Sequence, residues 1–418
     1  MSSEDLQIVE IIQKKLNGKR LSYNDYFKLL KAIADNKVNE ILMTYFTAST
    51  YKSPPSVPEL YDFTRAMVDI GTVIKFKPPV ADKHSTGGVP GNRVTMILVP
   101  IIAALGIKIP KTSSRAITSP AGTADCMEVL AKVEFEPDEL KSIVEKTNGC
   151  VVWGGGLNIA PADDELISVE KPIHIESEDK VIVSILAKKL AVSATHLILD
   201  IPYSKTLKIK SKSQAEAIAN KFKKLTKLFN IKTKIVINYS TDNLSTTSGP
   251  ALESFSCLQI LEQDKQRDLR LEKKALNFSA QLYALVRGIG LDKAYNEVFN
   301  VLTSGKALRK FKEIIKAQRG DASVTSESLF DKIKKNSIKT VIKSELEGKI
   351  IKLNNNNLSA ISKILGAPNY KFAGIRLLVN TGEFVTKGKP VLEFYAEDKD
   401  KLEAAIETLR LFPVFQVK

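Results

Sequence analysis

The run "RVTMILVPIIAALGIKIPKTSSRAITS", Arg93 to Ser119, constrains the fold more than any other stretch. Its first half reads as a helix apolar on all sides, which is stable only when buried all round. A short strand follows, then a loop of hydroxyls around one arginine. A buried helix feeding a strand that ends in a polar loop is the unit of an α/β fold, with functional loops at element ends.

The same unit recurs. "KVIVSILAKKLAVSATHLILDI" is a buried helix and a strand, and "TKIVINYS" is strand-like. Ahead of them, residues 5–48 carry Leu6, Ile8, Val9 and Ile12, then Tyr26, Leu29, Leu30 and Ile33, at helical spacing. Asn24 or Ser22 is placed to cap the second helix, and Ser56 or Pro58 to open another that runs on to Gly71. Residues 270–319 read as charged helix, and "RGDASVTSES" as a linker. The last seventy residues turn to strands and tight turns, at Thr381–Gly382 and Lys387–Gly388.

Composition narrows the function. The chain has 418 residues, 44% hydrophobic and 26% charged, which fits a soluble protein of two or three domains. No apolar run reaches the roughly 18–20 residues of a membrane span, and the N-terminus lacks an apolar signal core. Cys126, Cys150 and Cys257 are odd in number and far apart, so neither a disulfide framework nor a zinc pattern is present. A cytoplasmic location with reduced thiols is expected. The net charge of +15 comes from 51 lysines and only 11 arginines. Arginine is the favoured residue for bidentate phosphate and base contacts, so lysine-rich surfaces are expected here rather than nucleic-acid binding.

Two loops are built for an anion. In "DKHSTGGVPGN", Asp82 to Asn92, the glycines let backbone N–H groups approach a ligand, Lys83 supplies charge, and Ser85 and Thr86 supply donors. The spacing is not that of a nucleotide P-loop. In "TSSRAITSPAGTAD", Thr112 to Asp125, hydroxyls surround Arg115. Either loop alone reads equally well as a polar turn with a helix cap. Two of them, each beside an expected βα junction, favour the anion site.

These loops resemble the signature segments of the thymidine phosphorylase family. "GGVPGN" with "SSRAITS" is similar to the archaeal-type AMP phosphorylases within it. "LNIAPADDE", "SILAKKLA" and the C-terminal "GAPNYKFAGIRLLVNTGEFVTKGKPVLEFYAED" carry the same likeness, from about residue 6 to the end. AMP phosphorylases often have an additional N-terminal domain, and none is expected here. The resemblance implies a small helical lobe at 1–67 with a returning segment at 163–193. It implies a larger α/β lobe at 68–162 and 194–335, and a C-terminal α+β, barrel-sandwich-like domain at 345–418. It also implies phosphorolysis of a nucleoside 5′-monophosphate, most readily AMP, by a homodimer that needs no metal or cofactor, with inorganic phosphate as co-substrate.

By the same resemblance, Lys83, Ser85, Ser113 and Thr123 are expected to hold inorganic phosphate. Gly88, Ser114, Arg115, Ala116, Ile117, Thr118, Ser119, Thr123, Ser184 and Lys208 are expected to hold the nucleotide. Glu176, where these enzymes place an aspartate, is expected to be the proton donor. His84 and Lys188 could contact the base. The chain departs from the resemblance near Ser168, in "DIPYSKTLKI" and in "SFSC" after "GPALE". Two other classes stay open: a pyrimidine nucleoside phosphorylase, in which Arg115 and its hydroxyl neighbours would be surplus, and a non-catalytic nucleotide-binding descendant.

Overall fold

The computed structural model describes residues 3–87, 89, 91–116, 119–173, 177–205, 207–240 and 245–418. The chain opens with helices α1 (Ser3–Leu16), α2 (Tyr23–Ala34), α3 (Glu40–Lys52) and α4 (Val57–Asp69). Ser22 accepts from Asp25 N and Asp25 answers Ser22 N, a capping box that starts α2. Ser56 is the N-cap of α4, with Pro58 in its first turn, as expected from sequence, and the helix ends slightly before Gly71. Two later helices, α8 (Pro161–Ile173) and α9 (Glu178–Leu190), return to this bundle. Their Leu166, Ile182, Val183 and Leu186 share one core with Tyr26, Leu30, Phe46 and Phe63. Tyr26 and Phe63 stack at 4.4 Å, and Phe46 meets Phe63 edge-on at 5.9 Å.

One ion pair is sealed in this bundle. Lys15 Nζ lies 2.8 Å from Glu59 Oε1, which also accepts from Tyr26 Oη at 3.1 Å and Leu21 N at 3.0 Å. Both charged side chains are buried.

The α/β lobe runs β1 (Ala81–Ser85), α5 (Val94–Ala104), β2 (Ile109–Ser113), α6 (Thr123–Glu128), α7 (Pro137–Thr147) and β3 (Gly149–Trp153). After the returning helices come β4 (His196–Tyr203), α10 (Lys212–Leu228) and β5 (Lys232–Tyr239). Strands β1, β4 and β5 pair in parallel in the order β1-β4-β5, and β2 pairs in parallel with β3. A parallel bridge between Val80 and Lys108 joins the two groups, giving β3-β2-β1-β4-β5. Helix α5 is buried from Val94 to Ala103, as its apolar sequence requires. Period-two alternation sends Ile198 of β4 into the core around α5, and Leu199 and Ile201 into the core shared with the helical lobe.

Five helices follow: α11 (Pro250–Leu261), α12 (Leu269–Arg287), α13 (Leu291–Thr303), α14 (Lys306–Ala317) and α15 (Ser326–Asn336). The C-terminal part contains β7 (Ile338–Lys343), β8 (Gly348–Leu353), α16 (Asn355–Ile364), β9 (Gly374–Leu377), β10 (Phe384–Val385), β11 (Pro390–Ala396), α17 (Lys399–Leu411) and β12 (Phe415–Val417). Its antiparallel sheets have the orders β6-β9-β11-β7 and β10-β8-β12, where β6 (Thr247–Ser248) comes from the segment just before α11. The approach there is so close that a Cβ on Gly249 would run into Ala373 O, and one on Gly374 into Ser248 O. The sheet of the α/β lobe is parallel throughout, so the loops after β1, β2, β4 and β5 gather at one edge. That edge is where α/β proteins bind ligands.

Glu59→Ala is expected to lower stability by about 3–5 kcal/mol, because it strands the Lys15 ammonium inside the bundle. Chemical denaturation of the two proteins measures the difference, and a loss under about 1 kcal/mol would show that the pair is not sealed from water.

Candidate active site

Strand β1 distributes the site over its two faces. The sequence suggested a loop from Lys83 onward, but the structure keeps Lys83 to Ser85 in the strand, with Ser85 opposite Asp200 of β4. Alternation then sends Lys83 and Ser85 one way and Asp82 and His84 the other. On the first face, Asp200 accepts from Lys274 Nζ at 2.9 Å, Asn238 Nδ2 at 2.9 Å and Ser85 Oγ at 3.3 Å. Burial works against its ionised form, but Lys274, Lys83 and these hydrogen bonds outweigh it and hold the carboxyl below its ordinary range.

On the second face, Asp82 is fully buried between Lys111 of β2, at 3.5 Å, and Lys189 of α9. Four lysines thus share two carboxylates. Lys83 is the one left over: it is buried and has no ion pair or hydrogen-bond acceptor for its ammonium among the described residues. Its Nζ lies 6.0 Å from the Phe278 ring centre. Burial brings its pKa down to about 8, with the nearby Asp200 opposing the shift and Lys274 and Arg93 adding to it. Burial likewise brings Lys111 down to about 7, with Asp82 opposing the shift and Lys189 and Lys83 adding to it. His84 is held well below its usual range, first by burial and then by Lys111, Lys189, Lys83 and Lys188, so its ring is neutral.

The surrounding polar atoms leave valency for a ligand. Thr86 Oγ1 and Asn92 Oδ1 are buried and have no hydrogen-bond partner among the described residues. Ser85 ends β1 and Ser113 ends β2, each five residues beyond the Val80–Lys108 bridge, so the two hydroxyls lie at corresponding ends of neighbouring strands. Thr123 opens α6, and Ser119 Oγ donates to Ala121 O at 2.8 Å.

Arg115, expected to hold the nucleotide, has partners of its own. Its guanidinium donates to Glu128 through two bonds of 2.8 Å, to Glu134 at 2.8 Å and to Asp125 at 3.5 Å. It lies over Trp153, 4.8 Å from the ring centre. The arginine that sequence marked as a nucleotide ligand is committed to carboxylates.

The helical lobe carries a second polar cluster. Asp163 Oδ2 accepts from Ser184 Oγ at 2.6 Å and Lys188 Nζ at 2.7 Å. Burial opposes its ionisation, but Lys188, Lys180 and these bonds hold its pKa down. Lys208 is half-buried in the segment after β4. Glu176, Gly88, Ile117 and Thr118 lie outside the described residues. Of the departures from family pattern, Ser254 donates to Cys126 O and Pro250 O, both at 2.8 Å, and Cys257 Sγ lies 3.8 Å from Arg93 O. Both side chains fill the core beneath the site. Sequence reasoning missed Asp82, Asp163, Asp200, Lys111, Lys189 and Lys274. Period-two alternation through "DKHS" could have flagged Asp82, but nothing local in sequence marks Lys274 or Lys189.

Known proteins match this architecture. The model of the glycosyl transferase family, helical bundle domain, matches residues 9–71, and that of the glycosyl transferase family, a/b domain, matches residues 77–308. An AMP phosphorylase of Thermofilum pendens is 42% identical over 95% of this chain and 76% of its own length. One from Methanococcoides burtonii is 40% identical over 98% of this chain and 80% of its own length. Anthranilate phosphoribosyltransferase from Thermus thermophilus shares the fold, with a TM-score of 0.62 at 15% identity over 74% of this chain and 99% of that one. With its helical bundle, its a/b domain and this degree of identity over nearly its whole length, the chain belongs to the AMP phosphorylase family of glycosyl transferases.

Proposed function

We propose that this protein cleaves AMP with inorganic phosphate, giving adenine and ribose 1,5-bisphosphate. The observation that carries the reading is the buried ammonium of Lys83, unpaired among the described residues, beside the Ser85 and Thr86 hydroxyls. Such a group stabilises a bound anion, and among the described residues its only opposite charges, Asp200 and Asp82, act on it without a direct ion pair.

The reaction follows from the placement of charge. A phosphate held by Lys83, Ser85, Ser113 and Thr123 presents one oxygen to C1′ of the ribose. The C1′–O bond forms as the C1′–N bond to the base breaks, through an oxocarbenium-like transition state. The surplus of ammonium groups on β1, β2, α9 and α12 steadies the phosphate. The electron pair of the broken bond leaves with the base, which takes up a proton. Glu176 is the proposed donor. Ser184, Lys208, Gly88 and the segment Ser114 to Ser119 are proposed to hold the nucleotide, the segment mainly through backbone and hydroxyl groups, since the Arg115 guanidinium is engaged elsewhere. The neutral ring of His84 is free to accept or donate one hydrogen bond to the base. The reaction in this form uses no cofactor. A homodimer is supported by Ile41, Tyr45 and Tyr51, which α3 exposes to solvent. A cytoplasmic location is supported by three buried, unpaired cysteines.

Incubating the protein with phosphate and AMP, CMP, UMP, thymidine or uridine, and chromatographing for free base, tests the reading. AMP is expected to be cleaved fastest, and a nucleoside cleaved faster than every monophosphate would overturn it. Lys83→Ala is expected to raise KM for phosphate by roughly ten- to hundredfold, the worth of a charge-assisted contact. The pH dependence has a definite sign. Lys83 is an ammonium below its pKa of about 8 and loses its charge above it, so KM for phosphate should climb about tenfold per pH unit beyond about 8. A flat profile from pH 7 to 10 would remove Lys83 from the phosphate site. Glu176→Gln keeps the shape and removes the acid. Turnover is expected to drop by roughly a hundredfold while AMP binding, followed by calorimetry, stays nearly unchanged. Full turnover in that variant would assign the proton to another group.

A further inference from the structure

The segment from Ser114 to Gly122 contributes most of the proposed nucleotide contacts, and its two ends meet. A Cβ on Gly122 would lie 2.5 Å from Ser114 O and 2.6 Å from Arg115 C. One carboxylate oxygen closes the ring: Asp125 Oδ2 accepts from Ala116 N at 2.7 Å and from Gly122 N at 2.7 Å. The position of Asp125 therefore sets both ends of the segment.

Asp125 is in turn held from outside its own lobe. Lys371, between α16 and β9 of the C-terminal domain, lies 2.5 Å from Glu128 Oε2 and 3.8 Å from Asp125 Oδ1. Arg115 Nη1 shares the same two oxygens, at 2.8 Å from Glu128 Oε2 and 3.5 Å from Asp125 Oδ1. Glu128 falls to a pKa of about 2, chiefly through its hydrogen bonds from Arg115 against the cost of burial, with Lys371 adding to the effect, so it is ionised at any working pH. A second route leads to the same place. Lys371 O accepts from Ala251 N at 3.0 Å at the start of α11. Glu253 of that helix pairs with Arg93 at 2.5 Å, and Arg93 donates to Ala121 O. The cluster of Arg115 and Lys371 faces Asp125, Glu128 and Glu134 and carries one negative charge in excess. It repels a nucleotide phosphate and serves as a brace.

We propose that Lys371 is a positioning residue for the nucleotide site: with Arg115 it sets Glu128 and Asp125, and Asp125 fixes the ends of the nucleotide-binding segment. The C-terminal domain thus reaches the substrate site without touching substrate. The kinetic part of this inference rests on the AMP phosphorolysis reading, and the structural part does not.

The test uses the full chain with Lys371→Met and Lys371→Arg. Lys371→Met removes charge from a partly exposed position and keeps the stem. Amide hydrogen exchange without substrate is expected to become at least about fivefold faster in peptides covering Ala116 and Gly122, with the core peptides of α5 unchanged. Steady-state kinetics are expected to show KM for AMP raised about tenfold, with KM for phosphate and kcat within about twofold of the parent. Lys371→Arg, which keeps the charge and the reach, is expected to restore both readouts to within about threefold. Unchanged exchange at Ala116 and Gly122 in Lys371→Met overturns the proposal whatever the activity. So does a rise in both KM values together with faster exchange throughout the α/β lobe, which marks general loosening. If the parent protein releases no adenine, the functional reading fails, and the exchange measurement still decides this one.

Discussion

The site depends on an imbalance of charge enclosed at the edge of one parallel sheet. Asp82 and Asp200 are both fully buried, and Lys83, Lys111, Lys189 and Lys274 converge on them. A buried ammonium without a counter-ion is costly, and the protein tolerates it only where something restores the balance. Hydrogen bonds among the described residues do not do so for Lys83. In the function proposed here an incoming phosphate would do so, and part of the cost of burying the ammonium would return as affinity for the anion. The fold makes this arrangement available because alternation along β1 sets a carboxylate on one face and a lysine on the other, with each face meeting a different helix.

Those helices belong to different lobes. Lys189 comes from α9 of the helical lobe, and Lys274 from α12 behind the sheet. The Asp82–Lys189 pair is therefore a buried polar contact between the two lobes. Asp163, Ser184 and Lys188 lie on the same side. A relative movement of the lobes would change the field at His84, whose neutral state reflects burial together with lysines from both. The position of the lobes and the protonation of His84 are thus linked through ordinary Coulomb forces.

The sequence made some of this legible and hid the rest for definite reasons. Helix α5 could be read because it has no polar face, and the start of α2 because a serine and an aspartate three residues apart form a reciprocal cap. Lys83 and Ser85 stood out through their glycine neighbours, although the strand character of that stretch was obscured by its polarity. Arg115 shows the limit of local reading. Its hydroxyl neighbours suggested a phosphate ligand, but Glu128, Glu134 and Trp153, which decide its role, reach it only through the fold. The partners of Asp82 and Asp200 come from α9 and α12, and no spacing in the chain announces them.

The two-residue strand β6 has a consequence for how the molecule is made. It lies just ahead of α11, in the middle of the α/β lobe's sequence, yet its ladder partner is β9, and the first free amide of α11 is satisfied by Lys371. During synthesis the chain up to α15 can collapse around α5, but Thr247, Ser248 and Ala251 then wait with open hydrogen-bonding groups until β9 leaves the ribosome. A strand translated more than a hundred residues later is thus what completes this interior, and a nascent chain stalled before β9 would present that unfinished edge to chaperones and proteases.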